Sequence, residues 1–515
     1  MGSIADEILK VTAERPRRPA LHYDGRVVRR GELAERIACA AGALRAAGVG
    51  RGGRVVLMLS NRPEFVEASL GTLALGAQVV PLNVRLAEEE VEFIIRDCAA
   101  DVLLVERGTR HASRVAAGSG TRVFDVDGGD SGEDWRPSLS RAPRVAPVET
   151  SEDEVALLSY TSGTTGRPKG VRLTHGNLLS NVRSCLRVMP LKPRENFLCV
   201  LPLAHVFPFT VCMLLPLAAG VAVTLVPGVR PFSRVMKALI ESRVTVFVGV
   251  PQIYRAMADA PRPSFVRRLL FRLLCRLRFA ISGAEALCPQ VQRRFERRFG
   301  VPLLEGYGLT EAAPVVCFTP LDGPRKPGSV GPPLPGVEVR VVDDRGEALP
   351  PGEVGELAVR GPNVMAGYLD RPEETARALR NGWLHTGDLA TLDADGCVRI
   401  VGRKKEMISI KGLKVYPPEV ERALMLLPGV SECAVVGLSD DAGGETVAAA
   451  VVPKEDVAVT ESDLKARLRK RLADYKVPKV IKFMRGLPKT ATAKVRKHLL
   501  REILAGERLE EEHDE

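Results

Sequence analysis

The chain has 515 residues and a formal net charge of +11, with 45% hydrophobic and 5% aromatic residues. This length and composition exclude a disordered chain and predict a globular protein of more than one domain. The basic residues are spread along the chain without a nucleic-acid motif, so we expect no nucleic-acid partner. The ten cysteines form no C-x-x-C pair, and the first residues, MGSIADEILK, contain no apolar signal core. Both features favour a cytoplasmic protein with reduced thiols.

Helical and strand patterns alternate over residues 1 to about 330. An amphipathic run at 30–47 precedes a strand pattern at 54–59, and a helical pattern at 62–75 precedes another strand at 78–82. Such alternation predicts layered, parallel α/β sheets.

An uncharged stretch at residues 211–229 is about long enough to span a bilayer. It contains Pro216, Gly220 and Pro227, which interrupt a helix. We therefore predict a helix that ends near residue 220, a buried strand at 221–226, and a soluble protein.

From about residue 331 the pattern changes to short strands. Asp395-Gly396 is a tight-turn signal between two of them, which predicts a β-rich subdomain over about 331–401. A small α+β pattern then follows, with a helix at 417–427, strands at 433–438, 446–452 and 480–483, and a helix capped by Thr460 that runs to about 473. We predict an N-terminal domain of residues 1–401 and a small C-terminal domain of residues 402–515.

The stretch YTSGTTGRPKG, residues 160–170, is a loop between two strand patterns at 155–158 and 171–173. Its glycines let backbone N–H groups approach a ligand, its hydroxyls add donors, and Lys169 adds a positive charge. The spacing differs from the common P-loop, G-x-x-x-x-G-K-[ST]. The sequence therefore predicts a phosphate-binding loop of another kind.

Six further motifs follow in order. They are LPLAHVFPF (201–209), ISGAEAL (281–287), EGYGLTE (305–311), NGWLHTGDLA (381–390), VGRKKEMISIKGLKVYPPEVE (401–421) and LPKTATAKVRK (487–497). Together with the loop, they make the chain resemble the adenylate-forming superfamily, which includes acyl-CoA synthetases, aryl-CoA ligases, peptide-synthetase adenylation domains and luciferases. The resemblance covers nearly the whole chain.

The resemblance implies an enzyme that uses ATP and Mg²⁺ to convert a carboxylic acid to an acyl-adenylate, and then transfers the acyl group to coenzyme A. It also implies a large α/β N-terminal domain and a small mobile C-terminal domain. The hinge between them is expected at about 402–405, with Lys405 as the hinge residue.

The resemblance assigns roles to individual residues. The β- and γ-phosphates of ATP fall to Thr161, Ser162, Gly163, Thr164, Thr165 and Lys169, and the adenine and its surroundings to Ala284, Glu285, Gly306, Tyr307 and Gly308. The α-phosphate falls to Thr310, Mg²⁺ to Glu311, the ribose to Asp388 and Arg403, and the attacking carboxylate to Lys494. His205 joins Lys494, Thr310 and Glu311 in the catalytic set.

The acyl pocket is assigned to Val206, Phe207 and Gly249. Amino-acid-activating relatives carry an Asp where this chain has Val206, so an α-amino acid would face an apolar wall at a large desolvation cost. Gly249 leaves room for a chain to pass, which favours a medium- or long-chain fatty acid. Aryl acids remain open.

The acceptor is expected to be coenzyme A, because Lys411 and Gly412 match the positions where CoA ligases admit the pantetheine arm. Two alternatives stay open. One is a ligase that loads an acyl carrier protein, and the other is a non-catalytic nucleotide-binding scaffold.

A basic amphipathic pattern at residues 264–279 places Arg268, Arg272 and Arg276 on one helical face, with leucines largely opposite. It predicts a helix that either contacts an anionic membrane surface or packs its leucine face on the core.

Overall fold

The structure is a computed structural model. It describes residues 2–109, 111–116, 118–129, 132–162, 168–260, 274–410, 413–439, 445–454, 457–489 and 495–506. The chain divides into two compact units. The first unit comprises Met1–Val339, Ala358–His385 and Asp395–Val398, and the second comprises Arg340–Leu357, Thr386–Ala394 and Arg399–Glu515.

The helices are short to medium in length. In chain order they are α1 (Ile4–Glu14), α2 (Arg30–Ala46), α3 (Pro63–Ala74), α4 (Glu88–Asp97), α5 (His111–Ala116), α6 (Trp135–Arg141), α7 (His175–Val188), α8 (Val206–Pro208), α9 (Leu215–Ala218), α10 (Phe232–Glu241), α11 (Pro251–Asp259), α12 (Pro289–Phe299), α13 (Pro372–Ala378), α14 (Pro417–Met425), α15 (Glu461–Arg469) and α16 (Lys497–Ala505). A π-helical segment, Phe209–Leu214, joins α8 to α9.

The strands in chain order are β1 (Pro19–Tyr23), β2 (Arg26–Arg29), β3 (Arg54–Met58), β4 (Gln78–Pro81), β5 (Val102–Val105), β6 (Arg122–Asp125), β7 (Glu133–Asp134), β8 (Val155–Ser162), β9 (Pro168–Thr174), β10 (Asn196–Cys199), β11 (Ala222–Leu225), β12 (Val246–Gly249), β13 (Phe279–Ser282), β14 (Leu303–Gly308), β15 (Val315–Phe318), β16 (Glu338–Val342), β17 (Gly355–Arg360), β18 (Gly367–Tyr368), β19 (Leu379–Arg380), β20 (Trp383–Leu392), β21 (Val398–Arg403), β22 (Ile408–Ile410), β23 (Leu413–Val415), β24 (Val430–Ser439), β25 (Glu445–Pro453) and β26 (Val480–Phe483).

Two eight-stranded sheets lie in the first unit. One has the order β15-β14-β13-β12-β10-β11-β1-β2 and the other β18-β9-β8-β4-β3-β5-β6-β7. The central neighbours of both sheets pair in parallel, as in β10 with β12 and β3 with β4. Strands such as β10 and β12 are buried along their whole length, which suits their apolar sequences. The predicted α/β layering is confirmed.

The later part of the chain is richer in antiparallel strands. A five-stranded sheet has the order β16-β17-β20-β19 with β21 beside β20. In the second unit, β24 pairs antiparallel with β25 and β25 pairs parallel with β26. The cluster that includes Val420, Leu424, Val435, Val447 and Leu464 packs α14 and α15 on this sheet. The predicted small α+β region is thus present, and the predicted boundary at residues 401 and 402 falls within the second unit.

The uncharged stretch at 211–229 folds as predicted, with α9 ending at Ala218 and β11 buried at Ala222–Leu225. Among the described residues, no helix is long and apolar enough to cross a membrane.

The predicted basic helix at 264–279 lies largely outside the described residues. Arg268 and Arg272 are among the residues that are not described. Its predicted C-terminal end is wrong. Residues 275–278 have no regular structure, and Phe279 begins β13, where it pairs in parallel with Val246. The apolar residues Phe279–Ser282 are buried in the sheet, so strand burial overrides the helical pattern there.

Candidate active site

Most of the predicted site residues of the first unit lie at the carboxyl ends of parallel strands. Thr161 is near the end of β8, Gly249 ends β12, and Gly306, Tyr307 and Gly308 end β14. His205 follows β10, and Ala284 follows β13. Ligands in open α/β sheets bind outside the carboxyl ends of the strands, so the topology places these residues where a ligand site is expected.

Asn61 connects the carboxyl ends of the two large sheets. It follows β3 of one sheet, and its side chain is almost fully buried. Its amide nitrogen donates to the carbonyl oxygens of Leu201 (2.9 Å) and Val226 (3.0 Å), and its oxygen accepts from the N–H of Leu203 (2.8 Å). All three partners follow strands of the other sheet, so one side chain fixes the two sets of strand ends to each other.

The predicted phosphate loop lies between two strands, β8 and β9, that pair antiparallel. Thr161 pairs with Lys169, and Ser162 with Pro168, across antiparallel β8 and β9. Gly163, Thr164 and Thr165 lie outside the described residues. The Lys169 ammonium forms an ion pair with Glu374 of α13 and lies 5.7 Å from the ring centroid of Tyr368. A carboxylate therefore contacts the cation that is assigned to the phosphates.

Thr310 and Glu311 occupy a 3₁₀ turn, Thr310–Ala312, directly after β14. The Asn363 amide donates to the carbonyl oxygen of Ala312 (2.9 Å), which helps to hold the turn. The Tyr368 hydroxyl donates to Glu311 Oε1 at 3.0 Å. Burial, together with the negative charge of Glu311, raises the pKa of Tyr368. Tyr368 thus remains a protonated donor and orients the Glu311 carboxylate.

The residues present fit a magnesium ion that comes with its substrate. Within the described part of the chain, no group of three or more His, Cys, Asp or Glu side chains is arranged to hold a metal. Mg²⁺ commonly binds through one or two carboxylates, with phosphate oxygens and water completing its shell. Glu311 suits that role as a single oriented carboxylate.

The predicted adenine site lies in a constrained turn after β13. Ala284 has φ of +70°, a left-handed conformation that costs an alanine about 1 kcal/mol. The buried carboxylate of Glu305 accepts from the N–H of Leu287 at 2.8 Å and fixes the far side of the turn. The Phe207 ring packs against Gly283, where a Cβ would approach it to 2.8 Å. Ala284 and Glu285 are thereby held beside β14, which carries the half-buried Tyr307.

The predicted ribose residues belong to the second unit and meet there. Asp388 of β20 is 6% exposed, and its Oδ1 lies 3.2 Å from Nε of Arg403, the last residue of β21. The backbone N–H of Asp388 donates to Thr386 Oγ1 (3.1 Å), and that hydroxyl donates to the Leu357 carbonyl oxygen (2.7 Å). The carboxylate is therefore held in position with a guanidinium beside it.

The predicted acyl pocket residues are packed by aromatic side chains. Val206 is buried at the start of α8. Gly249 faces Tyr254, and a Cβ at that glycine would lie 3.0 Å from the Tyr254 hydroxyl. That hydroxyl lies 2.8 and 2.7 Å from the carbonyl oxygens of Phe247 and Ile281. The space beside Gly249 is filled by a fully buried phenol.

The remaining assignments fall mostly outside the described residues. Lys411, Gly412 and Lys494 lie there, so the CoA assignment and the carboxylate-binding lysine stay predictions. Lys405 is exposed in a 3₁₀ turn, Lys404–Glu406. Lys404 contacts Asp344 (2.8 Å), and Glu406 contacts Lys497 (2.9 Å), so both neighbours of Lys405 are anchored.

Sequence reasoning missed several residues that contact the site. Asn61 and Asn83 each closely follow a buried strand, and a polar residue at that position is a usable signal. The sequence around Tyr368 and Glu374 contains no such signal, because their proximity to Lys169 depends on β18 pairing with β9 in the folded sheet. In the sequence, Tyr254 resembles any other aromatic core residue. Its position beside Gly249 depends on the folded structure.

Comparisons with known proteins show what the chain is similar to. The model of the AMP-binding enzyme family matches residues 9–369, and that of the AMP-binding enzyme C-terminal domain matches residues 419–494. The chain is 40% identical to a feruloyl-CoA synthase from Amycolatopsis sp, over 94% of this chain and 95% of that protein. It is 35% identical to a long-chain-fatty-acid–CoA ligase from Bacillus subtilis (strain 168), over 88% and 86%. The crystal structure of ATP-bound MatB from Rhodopseudomonas palustris superimposes with a TM-score of 0.89 at 31% identity, covering 97% of this chain and 98% of that one.

Proposed function

Because the chain belongs to the AMP-binding enzyme family, in which it is an ATP-dependent acid–CoA ligase, we propose a specific division of roles among its residues and a compact acid as its substrate. The observation that carries the first part is the set of phosphate, adenine and acid-pocket residues at the carboxyl ends of parallel strands. The observation that carries the second is the Tyr254 phenol against Gly249.

In the first half-reaction, a carboxylate oxygen of the acid bonds to the α-phosphorus of ATP, and the bond from that phosphorus to the β-phosphate oxygen breaks. Two anions must approach each other, so the chain has to supply positive charge and hydrogen bonds there. Lys169 and Thr161 are assigned to the departing phosphates, Thr310 to the α-phosphate and Lys494 to the carboxylate. Glu311 would hold Mg²⁺ there, and the bound ion would supply further charge neutralisation for the pyrophosphate that leaves.

In the second half-reaction, the CoA sulfur bonds to the acyl carbon, and the bond from that carbon to the phosphate oxygen of AMP breaks. The thiol proton passes to solvent water, and AMP leaves with the electron pair of the broken bond on its phosphate oxygen. Asp388, with Arg403 beside it, is assigned to the ribose hydroxyls and retains the nucleotide through both steps. A carboxylate has two acceptor oxygens, which matches two vicinal hydroxyls. Lys411 and Gly412 are assigned to the path of the CoA arm.

The size of the acid depends on what lies beyond Gly249. The Tyr254 hydroxyl is anchored by two carbonyl oxygens, and its ring contacts Phe247 (5.5 Å between centroids) and Phe295 (5.1 Å) edge to face. Moving this phenol aside would break buried hydrogen bonds and aromatic contacts together. The side of Gly249 on which a side chain would lie is therefore filled, which supports an aryl acid, such as the substituted cinnamic acid that forms a feruloyl group.

A medium- or long-chain fatty acid is the second candidate, as the apolar Val206, Phe207 and Gly249 first indicated. The Bacillus relative named for that activity supports it. A carrier-protein acceptor in place of CoA has no separate support in the described residues.

The experiment is a pyrophosphate-release assay over a panel of acids (C2 to C18, aryl acids and amino acids), with and without CoA. We expect aryl acids to exceed C12–C18 acids in kcat/KM, and AMP to be released only when CoA is added. Failure of every acid to release pyrophosphate would contradict the proposal as a whole. A preference for C16 over aryl acids would contradict only the compact pocket.

A matched pair of variants tests the role of Tyr254 in acid size. Tyr254→Leu removes the phenol beside Gly249, and we expect it to gain activity on longer acids. Tyr254→Phe keeps the ring and removes only the hydroxyl, so it should keep the compact preference. If Tyr254→Leu folds and its acid preference is unchanged, Gly249 does not line the pocket.

A further inference from the structure

We propose that Asn83 is a positioning residue that holds His205 as a neutral imidazole with its proton on Nδ1. The two side chains come from different sheets. Asn83 follows β4, His205 follows β10, and the two residues are 122 positions apart in the chain. The Asn83 amide nitrogen lies 3.2 Å from His205 Nε2, and Asn83 is 6% exposed.

The orientation of the Asn83 amide is fixed by a neighbouring backbone group. The N–H of Arg85 donates to Asn83 Oδ1 at 3.0 Å, and a backbone N–H can only donate. The atom that faces Arg85 must therefore be the amide oxygen, and the NH₂ group must face His205. Rotating the amide by 180° would place its NH₂ against the Arg85 N–H and lose that hydrogen bond.

The protonation of His205 follows from this orientation. An amide NH₂ group donates and has no acceptor capacity, so His205 Nε2 must accept. A neutral imidazole has one protonated nitrogen, which leaves the proton on Nδ1. An imidazolium would carry N–H on both nitrogens and would turn a donor toward the donor of Asn83.

The local backbone keeps both partners in place. The Leu86 N–H donates to the Asn83 carbonyl oxygen (3.1 Å), which makes residues 83–86 a turn. The His205 N–H donates to the Pro202 carbonyl oxygen (3.1 Å), and the Phe209 N–H donates to that of His205 (2.9 Å). Because Asn61 also joins the ends of the two sheets, the distance between Asn83 and His205 is set by the core and not by the surface.

The consequence for catalysis rests on the proposed function and on the assignment of His205 to the catalytic set with Lys494, Thr310 and Glu311. A ring fixed in this tautomer presents Nδ1–H as a donor and adds no net charge beside the two reacting anions. A variant that reverses the tautomer presents the opposite pattern at the same position. A correctly positioned proton donor or acceptor contributes on the order of a hundredfold to the rate, and a misplaced one loses that contribution.

The decisive measurement is ¹⁵N NMR of the full chain labelled at histidine, without substrates. The chain has seven histidines, and the signals lost in His205→Gln identify those of His205. We expect the wild type to show a protonated Nδ1 and an unprotonated Nε2. Asn83→Asp keeps an oxygen for the Arg85 N–H but offers only acceptors to His205, so it should move the proton to Nε2. A wild-type His205 protonated at Nε2, or at both nitrogens, overturns the proposal.

The rate measurement separates this proposal from the proposed function. In Asn83→Asp, pyrophosphate release should fall by about tenfold or more while near-UV circular dichroism stays that of the wild type. The Asn83→Ala side chain can neither donate nor accept, so His205 should populate both tautomers. Its rate of pyrophosphate release should lie between those of the wild type and Asn83→Asp. A reversed tautomer with an unchanged rate overturns the catalytic part. A wild type that activates no acid overturns the proposed function and leaves the tautomer result standing.

Discussion

At the scale of single residues, Tyr368 connects the charged group assigned to the phosphates of ATP, Lys169, with the one assigned to Mg²⁺, Glu311. Its ring lies near the Lys169 ammonium and its hydroxyl binds Glu311, so one side chain contacts both a cation and an anion. Lys169 is also paired with Glu374. With Lys169 assigned to the phosphates, we expect ATP to replace the Glu374 carboxylate at Lys169 while Glu311 keeps its orientation.

Replacing Tyr368 by Phe isolates the orientation of Glu311. The ring near Lys169 stays, and only the hydrogen bond to the carboxylate is lost, at a cost of about 1 kcal/mol. We expect the Mg²⁺ concentration for half-maximal pyrophosphate release to rise by roughly fivefold, with a much smaller change in KM for the acid. Tyr23→Phe, which removes a phenol hydroxyl on β1, is the matched control. An unchanged Mg²⁺ dependence in Tyr368→Phe would separate Glu311 from the metal.

His175, the first residue of α7, is a buried group that the proposed reaction does not use. It is fully buried, and neither ring nitrogen has a hydrogen-bond partner within the described residues. Burial lowers the pKa of His175 from 6.5 to about 4, although Glu154 and Asp6 act in the opposite direction. The folded chain therefore keeps a neutral ring down to a pH at which the unfolded chain is protonated.

The sign of the pH dependence follows from that difference. Between pH 6.5 and pH 4 the unfolded state binds the extra proton, so the free energy of unfolding falls as the pH falls. Above pH 6.5 the ring is mostly neutral in both states and the loss is small. Between pH 7 and pH 5 the free energy of unfolding falls by about 2 kcal/mol because of His175. We expect urea titrations of His175→Leu to lose this difference. His498→Leu, at an exposed position, should keep it, and equal pH dependence in both variants would contradict the assignment.

At the scale of elements, the two sheets are held at their carboxyl ends by Asn61, whose three carbonyl and N–H partners are buried with it. Asn61→Leu has nearly the same volume but leaves those groups unpaired. Each unsatisfied buried group costs about 1–3 kcal/mol. We expect a loss of several kcal/mol in unfolding free energy and weaker binding of ATP and acid together. A variant that loses stability but keeps both KM values would show that Asn61 stabilises the fold without shaping the site.

The elements also show which patterns the sequence could predict. Strong local sequence signals were sufficient to predict β26, Val480–Phe483, and the turn at Gly396, which has φ of +76°. The helix capped by Thr460 was predicted to reach about residue 473 and ends at Arg469. The Leu468 carbonyl oxygen there accepts from the N–H groups of both Arg471 and Leu472 at 2.8 Å, which closes the last turn. Such closure depends on a few local bonds that apolar periodicity does not record.

The site was predictable where motif order fixed the residue and unpredictable where two distant residues meet. Asp388 and Arg403 were both assigned to the ribose, and the two side chains lie 3.2 Å apart. Tyr368 and Glu311 are 57 positions apart, and their contact follows from strand pairing and turn geometry that no single stretch encodes. The open passage at Gly249 was inferred from the absence of a side chain. The phenol that fills the space comes from Tyr254, five positions later, in the first turn of α11.

At the scale of the whole molecule, two half-reactions with different requirements have to share one chain. The first needs a cation at the carboxylate, and the second needs a path for the CoA thiol to the acyl carbon. The family models match the N-terminal and C-terminal parts separately, and Lys494 ends the second match. We propose that the C-terminal domain delivers Lys494 for adenylation and then rotates about Lys405, which opens the path along Lys411 and Gly412.

Variants of Lys494 and Lys405 should separate the two halves. Lys494→Ala removes one preorganised charge, so adenylation should fall by about a hundredfold or more, while supplied acyl-AMP and CoA still give thioester. Lys405→Pro fixes φ near −65° between two anchored neighbours, Lys404 and Glu406, and should impair thioester formation more than adenylation. Lys405→Ala removes the same charge but leaves the backbone free, so it distinguishes a hinge from an electrostatic role. Each half-reaction is measured by itself in all three variants. An equal loss of rate in both half-reactions of Lys494→Ala would mean that this lysine acts in both steps. That result would contradict the proposed rotation.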